Sequence, residues 1–245
     1  MEKSYEINEL ATEYYHQKLL ESKEAQEYLR KRKINNESIA LFQIGYAPKE
    51  NELYEYLLNK GYNDELIKNS SLIIEDTIDK FSNRIVFPNI DEKKRVISFS
   101  ARTINDNIKP KYINSFDSTI HKKMQNFYGI NIAKDYVEKY IILVEGATDV
   151  ITLNQAGIKN VVALLGTELT EEQCHLIKRI TNTVIVALDC DLAGKSATRR
   201  IIKILNKCGI KSKMLNVEKA KDPDEYIKNF EINNFKELIN AILKI

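Results

Sequence analysis

Residues 140–194 read YIILVEGATDVITLNQAGIKNVVALLGTELTEEQCHLIKRITNTVIVALDCDLAG, and this stretch decides the fold. Tyr140–Val144 is a short, continuous apolar run, the pattern of a strand buried on both faces. Asp149–Gln155 predicts a short helix, Val161–Leu165 a second strand, Thr170–Ile180 a helix and Thr183–Leu188 a third strand. A helix over Ser196–Lys207 follows, with Gly209 just beyond it. Lys211–Val217 predicts a fourth strand, and helices near Asp224–Lys228 and Asn234–Leu243 close the chain. Strands alternating with helices at these lengths imply a parallel sheet with right-handed crossovers. The reading divides the chain near residue 138, into segments 1–138 and 139–245.

In an open parallel sheet, ligands bind beyond the carboxyl ends of the strands. Here those ends carry Glu145-Gly146, Gly166-Thr167, Asp189-Cys190-Asp191 and Asp222-Pro223-Asp224. Glu145, Asp189, Asp191 and Asp222 are therefore expected to converge, with Asp149 and Asp224 close behind. A single aspartate at a strand end is an ordinary helix cap; the combination is more specific. Two ionised carboxylates about 4 Å apart repel by about 4 kcal/mol at an effective dielectric near 20. A divalent cation offsets that repulsion. Oxygen ligands without His or Cys select Mg²⁺ or Mn²⁺ over Zn²⁺, and such ions serve phosphoryl chemistry.

Outward from this stretch, the first 70 residues read as short helices. Ile7, Leu10, Ala11, Tyr14 and Leu20 fall roughly on one stripe, and a helix near Asn51–Lys60 ends at Gly61. Arg84–Pro88 and Arg95–Thr103 predict a hairpin through the turn Asp91–Lys94. Charge is uneven. Residues 1–79 carry a net −6, whereas residues 80–123 carry ten Lys/Arg against four Asp/Glu, a net +6. A basic middle segment suits an anionic partner.

Other classes are excluded. No apolar run approaches the roughly 20 residues of a membrane helix, and the polar N-terminus MEKSYEINEL is no signal peptide. Cys174, Cys190 and Cys208 form no CxxC pair, so neither zinc nor a disulfide framework is expected, and a cytoplasmic setting is. Gly194-Lys195-Ser196 lacks the leading glycine of a P-loop: Asp189 stands there, and its charge would repel phosphate. No dinucleotide-binding glycine pattern follows any strand. His16, His121 and His175 are scattered and read as surface residues.

The same residues carry a family resemblance. Residues 141–230 resemble a TOPRIM domain, the fold shared by bacterial primases, type IA and type II topoisomerases and some nucleases. The match runs through Val144-Glu145-Gly146, Asp149-Val150, Ala163–Thr167, Asp189–Gly194 and Asp222–Asp224. ALLGT and Asp-x-Asp-x-Ala-Gly point to the primase branch. Upstream, Phe42–Pro48, Phe81–Pro88, Pro110–Ser115 and His121-Lys122 are similar to the bacterial DnaG-type primase core.

The resemblance implies an α/β chain, with an N-terminal mixed α+β subdomain followed by a TOPRIM domain whose parallel sheet is flanked by helices. It implies RNA primer synthesis on single-stranded DNA from ribonucleoside triphosphates. A replicative helicase and single-strand-binding protein are implied as partners in the full system, with no membrane. It assigns Glu145, Asp189 and Asp191 to catalysis. It assigns Mg²⁺ or Mn²⁺ to Glu145, Asp189, Asp191 and Asp222, with Asp149 and Asp224 in support. Nucleotide and DNA binding fall to Asn83, Arg84, Arg95, Arg102, Lys111, Tyr112, Asn114 and Lys122; His121 then gains interest beside Lys122.

The chain departs from the family at Ala147-Thr148, usually bulky, at Cys190, usually glycine, and at Ser98–Ala101, usually glycine-rich. The family's zinc-binding and helicase-interacting domains lie outside these residues. Two further readings stay open here: a TOPRIM nuclease, and a non-catalytic nucleic-acid-binding module that kept the fold.

Overall fold

The computed structural model describes residues 2–50, 52–75, 77–116, 120, 125–166, 168–217 and 219–244. Contacts divide it into two compact units, residues 1–123 and 124–245. The sequence reading drew its line near 138. Residues 124–138 group with the second unit because Phe127, Ile130 and Ala133 are fully buried in its core. Tyr128 also exchanges two backbone hydrogen bonds with Ala163, at 2.9 and 3.0 Å. Three apolar residues ahead of the first strand have no period of their own, so only packing reveals where they belong.

In the first unit, α1 (Glu2–Glu21) buries Ile7, Ala11, Tyr14, Tyr15 and Leu19. Leu20, expected on this stripe, is 55% exposed, and Leu19 is buried instead. α2 (Lys23–Lys31), α3 (Asn36–Leu41), β1 (Gly45–Ala47), α4 (Leu53–Asn59) and α5 (Asp64–Lys68) follow. Gly45 is required where α1 crosses β1, since a Cβ there would stand 2.5 Å from Tyr15 Cβ. The pair β2 (Ile73–Ile74) and β3 (Ile78–Asp79) precedes the hairpin of β4 (Arg84–Ile90) and β5 (Val96–Thr103), then β6 (Tyr112–Asn114). The main sheet is antiparallel, in the order β1-β4-β5-β6. Val86, Phe99 and Ala101 join the core residues of α1 and α4.

The second unit runs α6 (Ile130–Ala133), β7 (Ile141–Val144), α7 (Ala147–Gln155), β8 (Val161–Ala163), α8 (Glu171–Lys178), β9 (Thr183–Val186), α9 (Leu192–Lys207), β10 (Lys211–Met214), α10 (Pro223–Asn229) and α11 (Ile232–Leu243). The helices before β9 and β10 are bounded differently from their reading: α9 starts at Leu192, four residues earlier. All four strands are parallel, ordered β10-β9-β7-β8. The chain leaves β7 towards β8, then returns past β7 to β9 and on to β10. Right-handed crossovers therefore put α7 on one face and α8 and α9 on the other. Cys174, Leu176 and Ile177 of α8 accordingly share a core with Ala197, Ile201 and Leu205 of α9. The crevice of such a sheet opens between adjacent strands whose connections diverge. Here these are β7 and β9, and Glu145 and Asp189 lie just past their ends.

Candidate acidic site and basic strand face

The acidic rim is built by loop chemistry on strand ends. Asp191 is the N-cap of α9, its Oδ1 accepting the Gly194 N–H at 2.7 Å. Gly194 admits no side chain, because a Cβ would meet the Asp189 carbonyl oxygen at 2.1 Å. The Asp-x-Asp-x-Ala-Gly spacing is thus one tight turn from strand to helix. Asp222 caps α10 in the same manner, accepting the Glu225 N–H at 2.7 Å, with Pro223 at the first helical position. The two acidic loops are latched together: Cys190 donates its N–H to the Lys221 carbonyl at 2.7 Å and its thiol to Asn216 Oδ1 at 3.0 Å.

The six carboxylates fall into two groups. Asp149 and Asp224 are buried and engaged in structure. Asp149 Oδ2 accepts the Gly146 N–H at 3.1 Å, and Oδ1 accepts the Asp224 N–H at 3.2 Å. Asp224 accepts from the Thr152 hydroxyl and pairs with Lys228, Nζ to Oδ1 being 2.6 Å. These bonds lock α10 onto α7. Glu145, Asp189, Asp191 and Asp222 form the open group in front.

Burial raises the Glu145 carboxyl above its ordinary range, and Asp189, Asp191 and Asp222 add to the rise. Asp189 and Asp222 are raised mainly by burial too. Lys221 opposes this crowding, with Nζ 3.5 Å from Asp189 Oδ2 and 3.9 Å from Asp222 Oδ2. Sequence reasoning missed Lys221, although its place directly before Asp222 was a visible signal. Among the described residues, no three acidic, His or Cys side chains are drawn around one point. The donor set nevertheless fits a hard divalent cation: it is all oxygen, half-buried except at the exposed Asp191, and over-supplied with negative charge, and Lys221 already supplies one positive charge there.

In the first unit, the register sorts the basic residues. Arg102 stands opposite Ile85 and Tyr112, and Asn114 opposite Ser100. Side chains alternate along a strand, so Arg102, Ser100, Tyr112 and Asn114 share one face, while Arg84 leaves the sheet on the other. Arg84 is buried and donates to the carbonyls of Pro110 and Lys111, both at 3.1 Å. Arg102 donates to the Tyr112 hydroxyl at 2.9 Å. Its Nε, like Asn114 Oδ1, is buried without a partner among the described residues. Buried polar atoms are rarely left so, and these two mark a polar spot ready for a ligand or water.

Arg95 is engaged by Asp91 at 2.6 Å and stacks over Tyr5 at 4.3 Å. Lys111 lies 3.5 Å from Asp106, and Asn83 accepts from the Tyr46 hydroxyl at 3.0 Å. Lys122 and His121 lie outside the described residues. His16 is engaged with the Ile44 carbonyl at 2.8 Å, and His175 is exposed on α8. Ser98–Ala101 and Cys190 all keep negative φ, so the departures from glycine there are sterically tolerated. No described helix is long and apolar enough to cross a membrane.

Comparison with known proteins agrees with this architecture. Residues 14–134 match the DNA primase catalytic core, N-terminal domain, and residues 142–227 match a Toprim-like domain. The DNA primase of Clostridium acetobutylicum is 37% identical over 249 residues, covering 100% of this chain and 42% of that protein. A solved DnaG catalytic core is 30% identical with a TM-score of 0.87, covering 97% of this chain and 79% of that one. A DnaG primase catalytic domain bound to single-stranded DNA is 29% identical with a TM-score of 0.87, covering 98% and 78%. The chain spans less than half the length of the curated relatives it matches. The carboxylate rim, the sheet order and these matches together show that the chain belongs to the DnaG-type DNA primase catalytic-core family, with a Toprim domain as its second unit.

Proposed function

We propose that this chain synthesises short RNA primers on single-stranded DNA, as a metal-dependent nucleotidyltransferase of the cytoplasm acting in DNA replication. The observation that supports the reading is that Glu145 and Asp189 stand just past the diverging ends of β7 and β9, with Asp191 and Asp222 near enough to raise the proton affinity of Glu145, in a chain of the primase core family. Glu145, Asp189, Asp191 and Asp222 would hold Mg²⁺ or Mn²⁺, and Asp149 and Asp224 would brace them from behind. When bound, such an ion lowers the pKa of an attacking hydroxyl and neutralises charge on the phosphates.

In the reaction, the 3′-hydroxyl of one nucleotide attacks the α-phosphate of the next ribonucleoside triphosphate. A phosphodiester bond forms and pyrophosphate leaves. Glu145, at the end of β7, would accept the proton that the hydroxyl gives up. Arg102, Tyr112 and Asn114, which share one sheet face, with Lys111, Lys122 and Asn83, would hold triphosphate and template, while Arg84, bonded to the Pro110 and Lys111 carbonyls, and Arg95, paired with Asp91, would brace that surface. That a relative was captured with single-stranded DNA supports this assignment. Template affinity should then fall steeply with salt. A replicative helicase and single-strand-binding protein would be the partners in the full system.

The test is incorporation of labelled ribonucleotides on a single-stranded template with Mg²⁺ or Mn²⁺. Activity lost in Asp189→Ala supports the site; equal incorporation by that variant rules it out. Cleavage of labelled DNA with metal and no nucleotides would favour a nuclease instead.

A further inference from the structure

The helix α9 starts at the acidic rim, with Asp191 as its N-cap, and carries Lys195, Arg199, Arg200, Lys203 and Lys207 but no acidic residue. Every other helix of eight or more residues contains at least one acid. All five cations are exposed, while Gly194, Ala197, Thr198, Ile201 and Leu205 face the core from the opposite side. Among the described residues none of the five has an acidic partner; Arg200 donates to Ser196 Oγ within the helix, at 3.1 Å.

Lys195, Arg199, Lys203 and Lys207 are spaced four apart, so they form one continuous ridge. Each step along it is about 6 Å, and the whole about 18 Å, from a rise of about 1.5 Å per residue. That step is close to the separation of neighbouring phosphates along a nucleic-acid strand. Helix stability does not account for the ridge. Like charges four residues apart repel. Lys195 also sits in the first turn, where the helix dipole disfavours a cation.

We propose that this ridge is a phosphate track for single-stranded DNA, leading along α9 to the acidic rim. The proposal rests on the primer-synthesis reading for its choice of ligand. It adds a second-unit surface that contacts the strand through its backbone, and so without regard to base sequence.

The test measures binding of a labelled single strand of mixed sequence by fluorescence anisotropy, over a range of salt concentrations. Wild type is compared with a variant carrying Lys195→Gln, Arg199→Gln, Lys203→Gln and Lys207→Gln. Glutamine keeps helix propensity, and circular dichroism checks the fold. Each phosphate contact on a single strand contributes about 0.7 to the slope of log K against log salt. The variant should therefore show a slope shallower by about 2 to 3 and weaker binding at low salt. An unchanged slope overturns the proposal. So does binding of the ridge to anionic phosphatidylglycerol vesicles while its DNA slope is unchanged. If the fourfold variant misfolds, the single substitutions Arg199→Gln and Lys203→Gln should each lower the slope by about 0.7; no change in either overturns it equally. Primer synthesis by wild type is measured in parallel. Its absence alongside a lowered slope would reject the primer reading and leave the track standing.

Discussion

Asp79 in the first unit and Asp189 in the second are both carboxylates held above their ordinary pKa by burial, yet they do different work. Asp79 is almost wholly enclosed and its pKa is pushed up to about 7. Both of its oxygens accept from the Tyr15 hydroxyl at 3.0 Å, and Oδ1 accepts the Phe81 N–H at 2.7 Å. It closes a structural contact between α1 and the strands. Asp189 is half-buried, with Lys221 on one side and like charges from Asp222 and Asp191 on others. A raised pKa alone therefore does not mark a reactive group. What sets Asp189 apart is crowding by like charges, only partly offset by Lys221, at an incompletely buried position.

The comparison breaks most sharply under Asp189→Asn. Nucleotide incorporation should drop about 1,000-fold, the size expected when a charge-stabilising group is removed, while thermal unfolding is unchanged or slightly raised. A comparable loss of stability would make Asp189 a structural residue like Asp79.

The second test is pH. Because the folded pKa of Asp79 lies above its unfolded value, the native state binds the extra proton between about pH 4 and pH 7. That contribution to stability is complete below about pH 4 and disappears as pH rises through about 7. The loss attributable to Asp79 should be roughly 2–4 kcal/mol. Urea unfolding of wild type and Asp79→Asn from pH 4 to pH 8 should give curves that converge on one pH dependence once this part is removed. Parallel curves would show that Asp79 does not titrate.

Smaller still is Gly194→Ala. A methyl group pressed on the Asp189 carbonyl should cost about 1–3 kcal/mol of stability. It should also lower activity about tenfold or more by displacing Asp189. Mildest is Lys221→Met, which removes an exposed counter-charge whose pair is worth under about 1 kcal/mol. Metal-free protein should melt slightly lower, and Mn²⁺ should restore it. A melting temperature indifferent to Mn²⁺ in both proteins would count against cation binding at the rim.

Much of the second unit could be read in advance, because a strand buried on both faces must be apolar throughout and a parallel sheet must deliver its strand ends to one side. Ile141–Val144, Val161–Ala163 and Thr183–Val186 announce themselves in this way, and Glu145 and Asp189 follow from where the first and third of those runs stop. The first unit is less legible. Its short helices owe their order to contacts far along the chain, as the exchange of Leu19 for Leu20 illustrates.

Residue types, their spacing and the ends of apolar runs thus determined, from sequence alone, the fold class and the carboxylates at the rim. Tertiary structure decided the rest. It assigned residues 124–138 to the second unit through the burial of Phe127 and Ile130. It parted Arg84 from Arg102 through strand register. It set Lys221 among the acids and engaged Asp149 and Asp224 in bracing bonds. Each of these depends on groups distant in sequence meeting in space, and local pattern holds no information about which distant groups will meet.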